Sequence, residues 1–95
     1  MTEQDKQKLM KIITKYLPKA QIYLFGSRAR KDNLPQSDID ITIDNENKID
    51  LLTLSNIKEE IEESTIPFTV DIVDLNNISE DLKKQILKDR IKWND

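Results

Sequence analysis

The sequence predicts an α/β (α+β) fold: a small mixed three-stranded sheet with helices packed on it. Three observations predict it. Residues 38–43, DIDITI, alternate polar and apolar with the period of a strand. Residues 3–17 and 49–63 repeat their apolar positions at helical spacing. Short β-rich runs interleave with those helical patterns in the order α-β-(α)-β-α-β-α. A length of 95 residues suits one domain, residues 1–95, with a modest core.

Each element has its own signal. In residues 3–17, Leu9, Ile12, Ile13 and Tyr16 fall on one helical face, Thr2 is a fitting N-cap, and Pro18 ends the helix. Residues 21–25, QIYLF, form a strand closed by Gly26, and residues 27–32 suit a short helical turn. Pro35 forbids a regular ladder in the loop that follows. In the 38–43 strand, Ile39, Ile41 and Ile43 face one way, and Asp38, Asp40 and Thr42 the other. Residues 49–63 place Leu54, Ile57 and Ile61 on one helical side. Residues 67–73 read as a third strand, with Phe68, Val70 and Ile72 on one face and Thr69, Asp71 and Val73 on the other. Residues 79–92 read as a last helix capped by Ser79, with Leu82, Ile86 and Trp93 making contacts. Trp93, the one tryptophan, either folds onto the domain's own core or anchors a partner.

Composition narrows the chemistry. With no cysteine and no histidine, there is no thiolate or imidazole ligand, no cysteine nucleophile and no Ser-His-Asp triad. A bound metal must be held by oxygen, which suits Mg²⁺ or Mn²⁺. The net charge of −3 argues against a nucleic-acid footprint, although Arg28, Arg30 and Lys31 cluster. No apolar run approaches the ~20 residues that span a bilayer, and no signal-peptide pattern opens the chain, so the expected location is cytoplasmic.

The candidate chemistry lies in FGSRARKDNLPQSDIDI, residues 25–41. Gly26, the one glycine of the chain, lets the backbone turn tightly and approach a ligand. A helical turn starting at Ser27 would offer free N–H groups to a phosphate, although a serine N-cap alone explains the same residues. Asp38 and Asp40 put two carboxylates on one strand face, roughly 6.6 Å apart at Cα. Two like charges there suit either a divalent cation between them or plain solvation. Asp71 offers a third acid from the next strand, with Asp74 the second choice. Three such acids can hold two metal ions about 4 Å apart, the arrangement that assists in-line displacement at phosphorus. A nucleotide triphosphate would lie between those ions and the Gly26-Ser27 amides, and Asp71 could accept a proton from the attacking hydroxyl.

Gly-Ser, ten residues, then Asp-x-Asp resembles the signature of the polymerase-β-type nucleotidyltransferase superfamily. The strings LFGSRAR, SDIDI and VDIVDL, with the small size, resemble its minimal nucleotidyltransferase (MNT) domain. The resemblance implies that Gly26 and Ser27, with Arg28 and Arg30 beside them, bind nucleotide. It implies that Asp38, Asp40 and Asp71 hold Mg²⁺ and catalyse. Arg28 would serve equally as the partner of a local acid. MNT domains commonly pair with a small helical HEPN ribonuclease toxin. The resemblance therefore implies an antitoxin that transfers AMP from ATP to a tyrosine of that toxin, which supplies the acceptor surface so small a chain lacks. The alternatives are transfer to a small-molecule hydroxyl, such as an aminoglycoside, or a purely binding antitoxin.

Overall fold

The structure, a computed structural model, describes residues 2–26 and 38–93. The helical turn expected at 27–32 lies outside the described residues. The chain runs α1 (Glu3–Tyr16), β1 (Gln21–Phe25), β2 (Ile39–Asp44), α2 (Leu51–Glu63), β3 (Val70–Asp74), a 3-10 turn (Leu75–Asn77), α3 (Glu80–Asp89) and β4 (Ile91–Lys92). The sheet order is β3-β2-β1-β4, with β2–β3 parallel and the other two pairs antiparallel.

The sheet therefore has four strands, not three. The expected helix over 79–92 stops at Asp89, because Arg90 turns extended (ψ 147°) and Ile91 and Lys92 pair with the open side of β1. A two-residue strand is too short to show a period. Arg90 also stacks its guanidinium 4.5 Å above the Tyr23 ring centre. The neighbouring Trp93 amide donates to Ile22 O at 2.8 Å, and the indole joins the core. Trp93 is thus a core residue of this chain rather than a partner anchor.

Helix starts follow their caps. Thr2 and Asp5 form a capping box, each side chain accepting from the other's amide at 3.1–3.3 Å. Asp50 and Ser79 cap α2 and α3 by accepting from Thr53 and Leu82 amides. The β3 ladder starts at Val70, later than the sequence suggests; Pro67 lacks the N–H a ladder needs.

The two sheet faces differ. Ile39, Ile41 and Ile43 are fully buried and pack with Leu9 and Ile13 of α1 and Ile57 of α2. The opposite face carries a row Gln21–Asp44, a row Tyr23–Thr42–Val73 and a row Phe25–Asp40–Asp71, set by register. Its middle is covered: Tyr23, Thr42, Leu75 and Ile86 of α3 are all buried. Thr42, on the same face as Asp40, is buried and meets that burial by donating to Val73 O at 3.1 Å. In the Phe25–Asp40–Asp71 row, Phe25 and Asp40 are only half-buried by the described residues and Asp71 is exposed.

Candidate active site

Antiparallel pairing sets Phe25 opposite Asp40, and parallel pairing sets Asp40 opposite Asp71. Directly opposed residues on one face hold their Cβ atoms about 4.5–5.5 Å apart. Gly26 follows Phe25 with φ +76°, a backbone that L side chains rarely adopt. A Cβ built on Gly26 would overlap the Asp40 carboxylate, with Asp40 Cγ 3.1 Å and Cβ 3.3 Å away. Glycine is required here both by conformation and by space.

Asp40 is half-buried and Asp71 exposed. Both line a cavity of about 630 Å³ with Phe25, Phe68, Lys58 and Glu62, a size typical of ligand sites. Asp38 is exposed and stands one residue before β2. Among the described residues no three acidic side chains gather closely enough to hold a metal ion. The structure thus brings Asp40 and Asp71 together and leaves Asp38 beside them. Their donor set is carboxylate oxygen alone, and the Asp40 carboxylate sits in the space that a side chain on Gly26 would take. That chemistry fits a hard divalent cation.

Asp74 is engaged elsewhere. It is 5% exposed, accepts from the Ile49 amide at 2.7 Å and from the Asn76 amide at 3.0 Å. Its carboxylate ties the start of α2 and the 3-10 turn to the end of β3. Ser27, Arg28 and Arg30, the other candidates from sequence, lie outside the described residues. Lys58 was missed by sequence reasoning, because only the fold brings α2 to this cavity.

The polymerase beta nucleotidyltransferase family matches residues 7–92. The chain belongs to that family. One relative, the probable protein adenylyltransferase MntA of Haemophilus influenzae, is 34% identical over 77 residues, covering 81% of this chain and 68% of the relative. The nucleotidyltransferase is also similar to a chain in the crystal structure of a toxin–antitoxin with AMP-PNP, at 27% identity and TM-score 0.79, covering 94% of this chain and 72% of that one. A third relative comes from the complex of tri-AMPylated Shewanella oneidensis HEPN toxin with MNT antitoxin, at 25% identity and TM-score 0.76, covering 99% and 72%. No helix among the described residues of the nucleotidyltransferase is long and apolar enough to cross a membrane.

Proposed function

We propose that the protein is a nucleotidyltransferase antitoxin that moves AMP from ATP to a tyrosine of a HEPN-type toxin and so neutralises it. The observation that carries this reading is the Phe25–Asp40–Asp71 row, set beside Gly26 and lining one cavity. The adenylyltransferase name of one relative, and the AMP-PNP and AMPylated toxin of two others, support the donor and the acceptor.

In the reaction, the tyrosine oxygen attacks the α-phosphorus of ATP. The new O–P bond forms as the bond to the β-bridging oxygen breaks, and pyrophosphate leaves with that electron pair. Asp71, the exposed acid of the row, accepts the phenolic proton and releases it to water. Gly26 lets the backbone approach the triphosphate, with Ser27, Arg28 and Arg30 as further phosphate contacts. Asp40 and Asp71, with Asp38 drawn in as a third ligand from its place before β2, would hold Mg²⁺, which when bound neutralises phosphate charge. Asp74 is set aside, since both its oxygens serve backbone amides. The whole chain acts as one catalytic unit in the cytoplasm, where ATP is abundant.

The test is incubation with α-labelled ATP, Mg²⁺ and a HEPN protein encoded beside this one. Label on a toxin tyrosine, lost with EDTA and with Asp40→Asn, is expected. A toxin that stays unlabelled while ATP binds would overturn the reading.

A further inference from the structure

β3 is an edge strand. Its inner side pairs with β2, and among the described residues no strand pairs with its outer side. The Ile39 amide donates to Thr69 O at 2.9 Å, so Thr69, Asp71 and Val73 turn their backbone groups toward β2. By alternation Val70 and Ile72 turn theirs outward. Their side chains do not shield that edge, because Ile72 is 6% exposed and Val70 packs against the core. The 630 Å³ cavity takes in Thr69 through Val73, with Ile66 and Phe68 as apolar wall and Asp40 in the same space. An unpaired strand edge and the reacting acids therefore share one cavity.

An edge of this kind takes an extended chain: backbone hydrogen bonds give affinity and alternate side chains give specificity. The occupant is not a second copy. Edge-to-edge pairing of two copies would bring their Asp71 carboxylates near one another, and like charges across strands destabilise. Among the described residues the cavity lining carries three acids, Asp40, Glu62 and Asp71, against one lysine, Lys58. A basic segment is complementary to it.

We propose, on the basis of the AMP-transfer reading above, that the outer edge of β3 takes an extended basic segment of the acceptor protein as an added strand, presenting its tyrosine on the Asp40–Asp71 face. The alternation of an added strand then restricts reaction to tyrosines on that one face of the segment. The bond changes are those already given: the tyrosine oxygen–phosphorus bond forms, pyrophosphate departs, and the proton passes to Asp71.

The test uses the full chain and a fluorescent peptide in which one tyrosine is flanked by valines and lysines. Val70→Pro removes an outward N–H, a change edge strands tolerate, while Val70→Thr keeps it. Val70→Pro is expected to weaken peptide binding, read by anisotropy, and raise the peptide KM by about tenfold. ATP affinity and melting temperature should hold, and Val70→Thr should behave as wild type. If Val70→Pro fails to fold, amide exchange in the wild-type chain decides. Slower exchange at Val70 and Ile72 with peptide supports the proposal; unchanged exchange overturns it. Equal binding and KM in Val70→Pro, or no peptide binding by the wild type, overturns the added strand while AMP transfer to a folded toxin stands. A wild-type dimer that Val70→Pro dissociates also overturns it, assigning the edge to self-association. Absence of transfer to any tyrosine of peptide or toxin removes the AMP-transfer reading and this proposal with it.

Discussion

Gly26 and Asp40 share one volume: the space a Cβ would take on Gly26 is held by the Asp40 carboxylate. The two ends of the sequence motif thus meet across the β1–β2 pair, where Phe25 faces Asp40. No side chain can be added at position 26 without displacing the Asp40 carboxylate.

Gly26→Val should therefore act twice. The β-branched side chain disfavours the +76° φ, at roughly 1–3 kcal/mol for a strained backbone position, and it displaces the Asp40 carboxylate. Calorimetry with ATP and Mg²⁺ should find binding lost, with a lower melting temperature. Unchanged ATP affinity would remove the turn from the site.

Asp71 and Asp74 should separate chemistry from stability. Asp71→Asn should abolish transfer and leave the melting temperature near wild type, since the side chain is exposed. Asp74→Ala should destabilise by about 2–4 kcal/mol, because it strips charge-assisted bonds from the Ile49 and Asn76 amides. Denaturant unfolding beside a transfer assay checks both. The reverse pattern would exchange their roles.

Trp93→Ala should destabilise the isolated chain by about 3–5 kcal/mol, the usual loss for emptying a buried tryptophan site. The indole is 9% exposed, and Lys6 Nζ lies 5.7 Å from its ring centre. Urea titration should find a lower midpoint at unchanged slope. A wild-type midpoint would remove Trp93 from the core.

One pH dependence is expected where α1 meets α2. Lys15 Nζ and Tyr16 Oη both donate to Glu60 Oε1, at 2.8 and 2.9 Å. The hydrogen bond from Lys15, then that from Tyr16, holds the Glu60 carboxyl below the usual glutamate range. Glu60 raises the Tyr16 and Lys15 values above their ordinary ones, chiefly by those same hydrogen bonds. A lowered acid contributes stability above its unfolded pKa and loses it as pH falls through the folded value. A raised phenol or ammonium contributes below its unfolded pKa and loses it as pH rises through the folded one. The contribution is therefore full between the ordinary glutamate and tyrosine ranges and fades on both sides. Glu60→Gln should flatten both limbs of a plot of melting temperature against pH, by a small amount at so exposed a site. Limbs identical to wild type would show that the contact contributes nothing.

The parts of the fold legible in the sequence were those with several periods to count. The Ile39–Ile41–Ile43 alternation and the Leu9–Ile13 and Ile57–Ile61 spacings each sort the buried residues by themselves. β4 was hidden because its two residues pair only through β1, a contact distant along the chain. Asp40 and Asp71 were readable as same-face residues by alternation, but their adjacency depends on parallel register. Asp74 could not be set aside from sequence, since its amide partners lie just before α2 and in the 3-10 turn. Lys58 gave no signal, being one charged residue on a helix rich in them.

The β1–β4 pairing also bears on the order in which the molecule is built. β1 carries the chain into Gly26, yet its outer side stays open until Ile91 and Lys92 arrive and the Trp93 amide reaches Ile22 O. Contacts so distant in sequence form late and slow folding. On the ribosome, β1 emerges well before Ile91 and Lys92 and must wait for them before it gains its second neighbour. A nascent or proteolytically trimmed chain lacking residues 90–93 exposes that strand and empties the indole's place in the core. Such a species is open to aggregation and degradation, so the cell's supply of working protein depends on a four-residue segment that closes the sheet edge and fills the core.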